Sequence, residues 1–154
     1  MAALAALPDP AGALCLGSDT TVVCNGEIFE KPADAADAGR ILRVLSGRTH
    51  QVLTAVALAA AGGSEVLLSA SAVTFRELKD TEITAYWATG EPADKAGAYG
   101  IQGLGAMFIT GIEGSYSGIM GLPVAETVAL LAKAGITVKK ILEQHAGKNF
   151  GTDA

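Results

Sequence analysis

The sequence contains little cysteine, little histidine and few positive charges. Its 154 residues include two cysteines, two histidines, and 11 Lys and Arg against 16 Asp and Glu. Cys15 and Cys24 do not form a Cys-x-x-Cys motif, and two histidines are too few for a metal cluster, so neither a disulfide framework nor a zinc site is expected. Two reduced thiols favour a cytoplasmic protein. The net charge of −5 argues against binding of polymeric nucleic acid, because that binding depends on clustered cations.

Long apolar runs are also missing, although 50% of the residues are hydrophobic. The longest nearly uncharged stretch, residues 51–64, contains two adjacent glycines and is followed by Glu65, so no membrane span or membrane partner is expected. The first residues lack a basic region and reach Pro8 early, which disfavours a secretory signal. The length and the charged fraction of 18% are typical of a globular chain with one hydrophobic core.

Hydrophobic periodicity predicts an α/β protein with a curved mixed sheet that contains antiparallel hairpins and is flanked by helices. Strands are predicted at 13–16, 20–24, 27–29, 49–60, 65–75 and 106–112. Asp19 is placed beside a break between the first two. Helices are predicted at 34–44, 80–90 and 123–134, with Asp34 and Asp80 as N-caps and Pro123 at the first helical position. Residues 115–121 are interpreted as a loop, and residues 136–142 are ambiguous.

Polar residues concentrate between positions 86 and 127, on segments that glycine and proline keep out of regular structure. They are Glu91, Asp94, Lys95, Tyr99, Gln102, Glu113 and Tyr116. Binding and catalytic residues lie disproportionately on such loops. We therefore expect the functional site to involve this region.

Two glycine-containing motifs in this region fail their structural requirements. Gly100-Ile-Gln-Gly103-Leu-Gly105 has its glycines in the reverse of the dinucleotide-binding order, and no predicted strand precedes it. Gly114-Ser-Tyr-Ser-Gly118 has Tyr116 where a nucleophile elbow needs a serine. Neither a dinucleotide site nor a serine hydrolase is expected.

Four segments together resemble one family. They are Gly17–Val23 with Glu30–Pro32, Leu45–His50, Asp80–Ile83 with Tyr86, and Thr89–Thr127, which contains Asp-Lys-Ala-Gly-Ala-Tyr-Gly-Ile-Gln-Gly. In unbroken order over residues 13–136, the sequence resembles the Maf family of septum-formation-inhibitor-like nucleoside triphosphate pyrophosphatases, in the branch that acts on dTTP and UTP.

The resemblance implies a fold like that of inosine triphosphate pyrophosphatase and a house-cleaning activity on nucleotides. The implied reaction hydrolyses dTTP, UTP or modified pyrimidine nucleotides to the monophosphate and pyrophosphate. Water attacks the α-phosphorus, and a divalent cation, Mg²⁺ or Mn²⁺, holds the phosphate chain. A homodimer is also implied.

The resemblance assigns roles to particular residues. Asp19 matches the proton acceptor and is a candidate metal ligand, and Lys31 matches a catalytic lysine that can reach a phosphate. Thr20 and Gln102 match positions that select the substrate. An amide offers both a donor and an acceptor, as the hydrogen-bonding edge of thymine or uracil requires.

Four further residues are candidates for contact with phosphate or metal: Glu91, Asp94, Lys95 and Arg48. For the first three, plain solvation of a charged turn is the alternative. For Arg48 the alternative is a hinge that packs two lobes together. The sequence leaves these alternatives open.

The resemblance starts only at Leu14. Family members carry before it a strand and a Ser-x-Ser-Pro-Arg-Arg loop that would grip the triphosphate. We therefore interpret residues 1–12 as a poorly ordered remnant, 13–136 as a Maf-like domain incomplete at its N-terminus, and 137–154 as a C-terminal extension. A truncated gene product is favoured over a naturally shortened protein or one completed by a partner. The second functional hypothesis is a catalytically impaired nucleotide-binding or cell-division regulatory protein, or an inactive fragment.

Overall fold

A computed structural model of the chain describes residues 12–149. The strands are β1 (Cys15–Cys24), β2 (Glu27–Phe29), β3 (Thr49–Ala60), β4 (Gly63–Phe75) and β5 (Ile109–Glu113). The helices are α1 (Ala35–Leu45), α2 (Asp80–Ala88), α3 (Tyr116–Ile119), α4 (Val124–Lys133) and α5 (Val138–Asn149). Short 3₁₀ turns occupy Glu91–Asp94, Ala96–Ala98 and Leu104–Phe108. The predicted N-terminal remnant lies, except for Gly12, outside the described residues.

The strands form one sheet in the order β2-β1-β3-β4-β5. This arrangement confirms the predicted α/β class with antiparallel hairpins. Within residues 12–149 every strand pair is antiparallel. The prediction of a mixed sheet is therefore wrong. Alternation of apolar and polar residues shows which face of a strand is buried, but it does not show the direction of the neighbouring strand.

The predicted strand break beside Asp19 is wrong. β1 runs without interruption, and its residues pair with β3 from Cys15 opposite Ala59 to Val23 opposite Gln51. Asp19 lies opposite Ala55 in the middle of this ladder. Backbone hydrogen bonds to β3 therefore hold the polar stretch of β1 in an extended conformation despite its low strand propensity.

The core lies between the sheet and the helices α1 and α2. Its largest buried side chains include Phe29, Leu42, Leu45, Val73 and Phe75. Burying an aliphatic or aromatic side chain of this size contributes roughly 1.5–3 kcal/mol, so this cluster holds α1 against the strands. A second, smaller cluster packs Leu130 of α4 on Val56 and Leu58 of β3.

Helix ends follow the sequence in one case and depart from it in others. Asp34 caps α1 as predicted, since its carboxylate accepts a hydrogen bond of 2.9 Å from Asp37 N. Asp80 is the first residue of α2 and not its N-cap; that position belongs to Lys79, whose N–H donates to Glu82 Oε2 at 2.8 Å. Pro123 likewise lies one position before α4.

Two other segments differ from expectation, and a third, which the sequence left ambiguous, forms a helix. The predicted loop at 115–121 contains the short helix α3, because Ser115 Oγ accepts a hydrogen bond from Gly118 N at 3.0 Å and caps it. β5 begins at Ile109, since a 3₁₀ turn occupies the residues before it. The ambiguous region enters α5 at Val138. None of the helices described between residues 12 and 149 has the length and apolar character needed to cross a membrane.

Candidate active site

A cavity of about 280 Å³ lies beside the middle of β1, against the turn at residues 94–96 and the end of α3. Its polar lining consists of Ser18, Asp19, Thr20, Lys31, Asp94 and Lys95. An adjoining cavity of about 270 Å³ shares Asp19, Thr20 and Lys31 with it. The structure thus brings together five residues that the sequence singled out: Asp19, Thr20, Lys31, Asp94 and Lys95.

Hydroxyl groups join the β1 wall of the cavity to the segment that contains α3. Ser18 Oγ donates to Gly121 O at 2.6 Å. Thr20 Oγ1 lies 2.8 Å from Thr54 Oγ1 on the neighbouring strand, and Thr54 donates to Gly118 O at 2.7 Å. These bonds hold the end of α3 against the strand and close this side of the cavity.

Asp19 is exposed, and its Oδ1 atom accepts a hydrogen bond of 3.0 Å from Thr20 N. This local bond restricts the carboxylate and leaves Oδ2 available to water or a ligand. An ordered carboxylate at the rim of a cavity is suited to accept a proton or to bind a cation.

The positive groups of the cavity are Lys31 and Lys95. Lys95 Nζ donates to Asp94 Oδ1 at 2.6 Å. This ion pair holds the pKa of Asp94 below its ordinary value, and the nearby Lys31 lowers it further. Asp94 is therefore a carboxylate at neutral pH.

Gly97 positions the turn that carries Asp94 and Lys95. Its φ angle is 71°, and a Cβ atom there would lie 2.8 Å from Val22 Cγ2. Its N–H donates to Glu30 O at 3.1 Å. A residue without a side chain is thus needed where the turn packs on β1, and this packing sets the turn beside Lys31.

The other predicted site residues do not line the cavity. Gln102 is exposed, although its neighbour Ile101 is part of the lining. Arg48 Nη1 donates to Val44 O at the end of α1, at 2.7 Å. Roles in substrate selection for Gln102 and in phosphate contact for Arg48 stay predictions.

Glu91 is committed to hydrogen bonds inside the protein. Oε1 accepts from the Tyr86 hydroxyl at 2.7 Å and from Gly105 N at 2.9 Å, and Oε2 accepts from Leu104 N at 2.7 Å. Desolvation on its own would raise the pKa of Glu91, but the bonds from Gly105, Tyr86 and Leu104 outweigh it and lower the pKa. The carboxylate thus fastens a loop, and the metal-facing role predicted for it has no geometric support.

The sequence did not anticipate the buried pair formed by His50 and Tyr99. Tyr99 lines the cavity, and its hydroxyl lies 2.9 Å from His50 Nε2. Burial lowers the pKa of His50 to about 4 and raises that of Tyr99. Both groups are uncharged at neutral pH. Thr54 was also missed, although a threonine at a buried position of an apolar strand signals an internal hydrogen bond.

Among the described residues, no group of three or more His, Cys, Asp or Glu side chains could hold a metal ion. Mg²⁺ is commonly bound by one or two carboxylates together with substrate phosphates and water. Asp19 and Asp94, both at the cavity, fit that donor set. They do not fit a site built from protein ligands alone.

Comparison with known proteins places the chain in a family. The sequence model described as "Maf-like protein" matches residues 1–134. The chain belongs to the Maf-like family. A Hahella chejuensis protein named dTTP/UTP pyrophosphatase is 58% identical to this Maf-like chain over 123 residues, which are 80% of the chain and 61% of the relative.

Two further relatives carry the same name. The Ralstonia nicotianae protein is 60% identical over 124 residues, or 80% of this Maf-like chain and 60% of the relative. The Shewanella oneidensis protein is 54% identical over 135 residues, or 88% of the chain and 70% of the relative. The chain thus spans 60–61% of the length of the first two curated relatives.

Proposed function

We propose that this chain belongs to a nucleoside triphosphate pyrophosphatase, an acid anhydride hydrolase that converts dTTP, UTP or modified pyrimidine nucleotides to the monophosphate and pyrophosphate. The observation that carries the proposal is the assembly of Asp19, Lys31, Asp94 and Lys95 around one cavity that is also lined by apolar side chains. Relatives 58% and 60% identical are named dTTP/UTP pyrophosphatases, which supports it.

In the proposed reaction Asp19 is the proton acceptor. A water molecule gives a proton to its carboxylate while the water oxygen forms a bond to the α-phosphorus. The bond between the α-phosphorus and the bridging oxygen breaks, and pyrophosphate leaves with that oxygen. Lys31 is exposed at the same cavity and donates to phosphate oxygens, where negative charge grows.

Two carboxylates at the cavity suit a divalent cation shared with the substrate. Asp19 and Asp94 are the residues that would hold Mg²⁺ or Mn²⁺. Such a cation neutralises phosphate charge that the two lysines alone do not balance. The preference for one of the two metals is part of the proposal and is tested by adding each separately.

Pyrophosphate release from dTTP, UTP, CTP and ATP, measured with the full chain and each metal, tests the proposed function. Asp19→Asn is expected to lower kcat on the order of 10²–10⁴-fold, because it removes the proton acceptor. Asp80→Asn, which alters an exposed carboxylate paired with Arg43 away from the cavity, is the matched control and keeps full activity. A folded chain that releases no pyrophosphate from any of these nucleotides contradicts the proposal.

The charge of the cavity favours a second candidate, a catalytically impaired protein that binds a nucleotide and regulates cell division. Lys31 and Lys95 are balanced there by Asp19 and Asp94, so the described side chains that line the cavity offer no net positive charge to a triphosphate. Calorimetric binding of dTTP without pyrophosphate release would support this candidate.

The homodimer and the cytoplasmic location remain predictions. Light scattering after size-exclusion chromatography tests the first. The free state of Cys15 and Cys24 is consistent with the second.

A further inference from the structure

Two hydroxyl groups on one face of β1, those of Ser18 and Thr20, line the cavity. Their hydrogen bonds within the protein determine whether each can donate to a ligand or only accept from it. A hydroxyl has one hydrogen to donate, whereas a carbonyl oxygen can only accept. Ser18 Oγ lies 2.6 Å from Gly121 O, so its hydrogen is used there. The lone pairs of Ser18 are what remains for a ligand.

Thr20, like Ser18, has only lone pairs left for a ligand, and a second threonine is the reason. Thr54 Oγ1 lies 2.7 Å from Gly118 O and must donate to it, which uses its only hydrogen. The 2.8 Å contact between Thr54 Oγ1 and Thr20 Oγ1 is therefore a bond that Thr20 donates. Thr54 is only 1% exposed, so water does not offer it another partner. Thr20 consequently presents lone pairs, and no hydrogen, to the cavity.

We propose that Thr54 is a positioning residue that makes Thr20 an acceptor only, so that the site selects pyrimidines with a ring N–H. This inference rests on the proposed function. Uracil and thymine carry a hydrogen on N3, which an acceptor binds. Cytosine has a lone pair at N3, and its amino group is at the neighbouring carbon, where uracil has a carbonyl. An acceptor that faces this lone pair leaves both groups unpaired, and unpaired buried groups discriminate strongly between ligands.

Thr54 carries this selectivity because it restrains a hydroxyl that otherwise rotates. Without the Thr54 oxygen, Thr20 can turn its hydrogen toward the ligand and donate to cytosine N3. Thr54→Val, which nearly keeps the side-chain volume, should therefore relax the selection of the base. Thr54→Ser keeps the hydroxyl and should therefore retain the selection of the base.

Ser71 offers a matched control. It is a buried hydroxyl on β4 that accepts from Ser115 N at 2.9 Å and donates to Ser115 O at 3.3 Å. Like Thr54, it holds the segment that contains α3, but none of these bonds involves a hydroxyl of the cavity. Ser71→Ala thus reports a loss of structural support without a change at Thr20.

The test is calorimetric titration of the full chain with UMP and with CMP, alongside thermal unfolding and pyrophosphate release from UTP. We expect the original chain, Thr54→Ser and Ser71→Ala to prefer UMP at least about tenfold. In Thr54→Val the ratio of the CMP and UMP dissociation constants should fall to within about threefold of unity, mainly because CMP binds more tightly. If Thr54→Val does not fold, Thr54→Ala is scored in the same way.

The outcomes separate the two proposals. A folded Thr54 variant with an unchanged ratio, or with UMP and CMP weakened equally, overturns the positioning role and leaves the proposed function intact. A preference for UMP that Thr54→Val abolishes, without pyrophosphate release from UTP by the original chain, supports the positioning role and contradicts the proposed activity. If the original chain binds neither mononucleotide, the positioning role is wrong as well.

Discussion

The hydroxyl of Tyr86 on α2 donates a 2.7 Å hydrogen bond to Glu91, and together these two residues hold the loop that carries Gln102. The same hydroxyl accepts from Gly100 N at 3.1 Å, while Glu91 accepts from Leu104 N and Gly105 N. The backbone is therefore held by hydrogen bonds both before and after Gln102. A Cβ atom at Gly105 would lie 2.7 Å from the Tyr86 hydroxyl oxygen. Gly105 belongs to the glycine motif that does not fit a dinucleotide site, and its close approach to Tyr86 explains why a glycine is needed there.

Glu91→Gln should loosen this loop while the remaining fold is kept. A glutamine side chain has one acceptor oxygen, whereas the carboxylate uses one oxygen for Leu104 N and the other for Gly105 N. At least one of these backbone N–H groups therefore loses its partner. We expect a loss of about 1–2 kcal/mol in the free energy of unfolding, measured with urea. Hydrogen exchange should rise at residues 100–105.

The control for this variant is Glu77→Gln, which changes an exposed carboxylate outside the loop and should leave stability within about 0.5 kcal/mol. Equal effects of the two substitutions would show that Glu91 does not anchor the loop.

Gly97→Ala should be far more damaging than an ordinary glycine substitution. The added Cβ atom would lie 2.8 Å from Val22 Cγ2, and the φ angle of 71° disfavours alanine in any case. We expect a loss of about 2–4 kcal/mol in the free energy of unfolding. Because the turn beside Lys95 is displaced, nucleotide affinity measured by calorimetry should also fall.

Gly62→Ala is the matched control, since no atom lies within 4 Å of a Cβ at that position. It should change stability by less than about 0.5 kcal/mol. Were Gly97→Ala equally mild, the close packing of the turn on β1 would not be what positions Lys95.

His50 should make the protein less stable as the pH falls from 7 to 5. Burial lowers the pKa of His50 to about 4 in the folded chain, against 6.5 for the ordinary side chain. The unfolded state therefore binds the proton more readily, and stability that is present above pH 6.5 is lost as the pH falls toward 4. By pH 5 the loss should reach about 2 kcal/mol, measured by urea unfolding at several pH values.

His50→Gln can still bond to Tyr99 but does not titrate, so it should flatten this pH dependence. The carboxylates with lowered pKa values, such as Asp37 and Asp94, lose their contribution only as the pH drops to their ordinary range near 3.8 and below. A steep loss between pH 7 and 5 that persists in His50→Gln would contradict the assignment.

Local sequence signals predicted elements that depend on local interactions. The β3–β4 hairpin and α1 with its Asp34 cap follow from periodicity and capping within a few residues. The continuity of β1 through Asp19 could not be predicted in this way, because it depends on pairing with residues more than thirty positions away. The short helix α3 was missed because four residues give no periodic pattern and only Ser115 marks its start.

The sequence by itself determined the chemical groups of this protein and, through the order of its motifs, its family. Only the tertiary structure decided which of those groups meet. Asp94 and Lys95 line the same cavity as Lys31 because Gly97 allows their turn to pack on Val22. Glu91 is not part of the cavity lining, and its carboxylate instead accepts hydrogen bonds from backbone amides 13 and 14 residues ahead. The direction in which Thr20 hydrogen-bonds depends on Thr54, since a hydroxyl has a single hydrogen and its neighbours determine where that hydrogen goes.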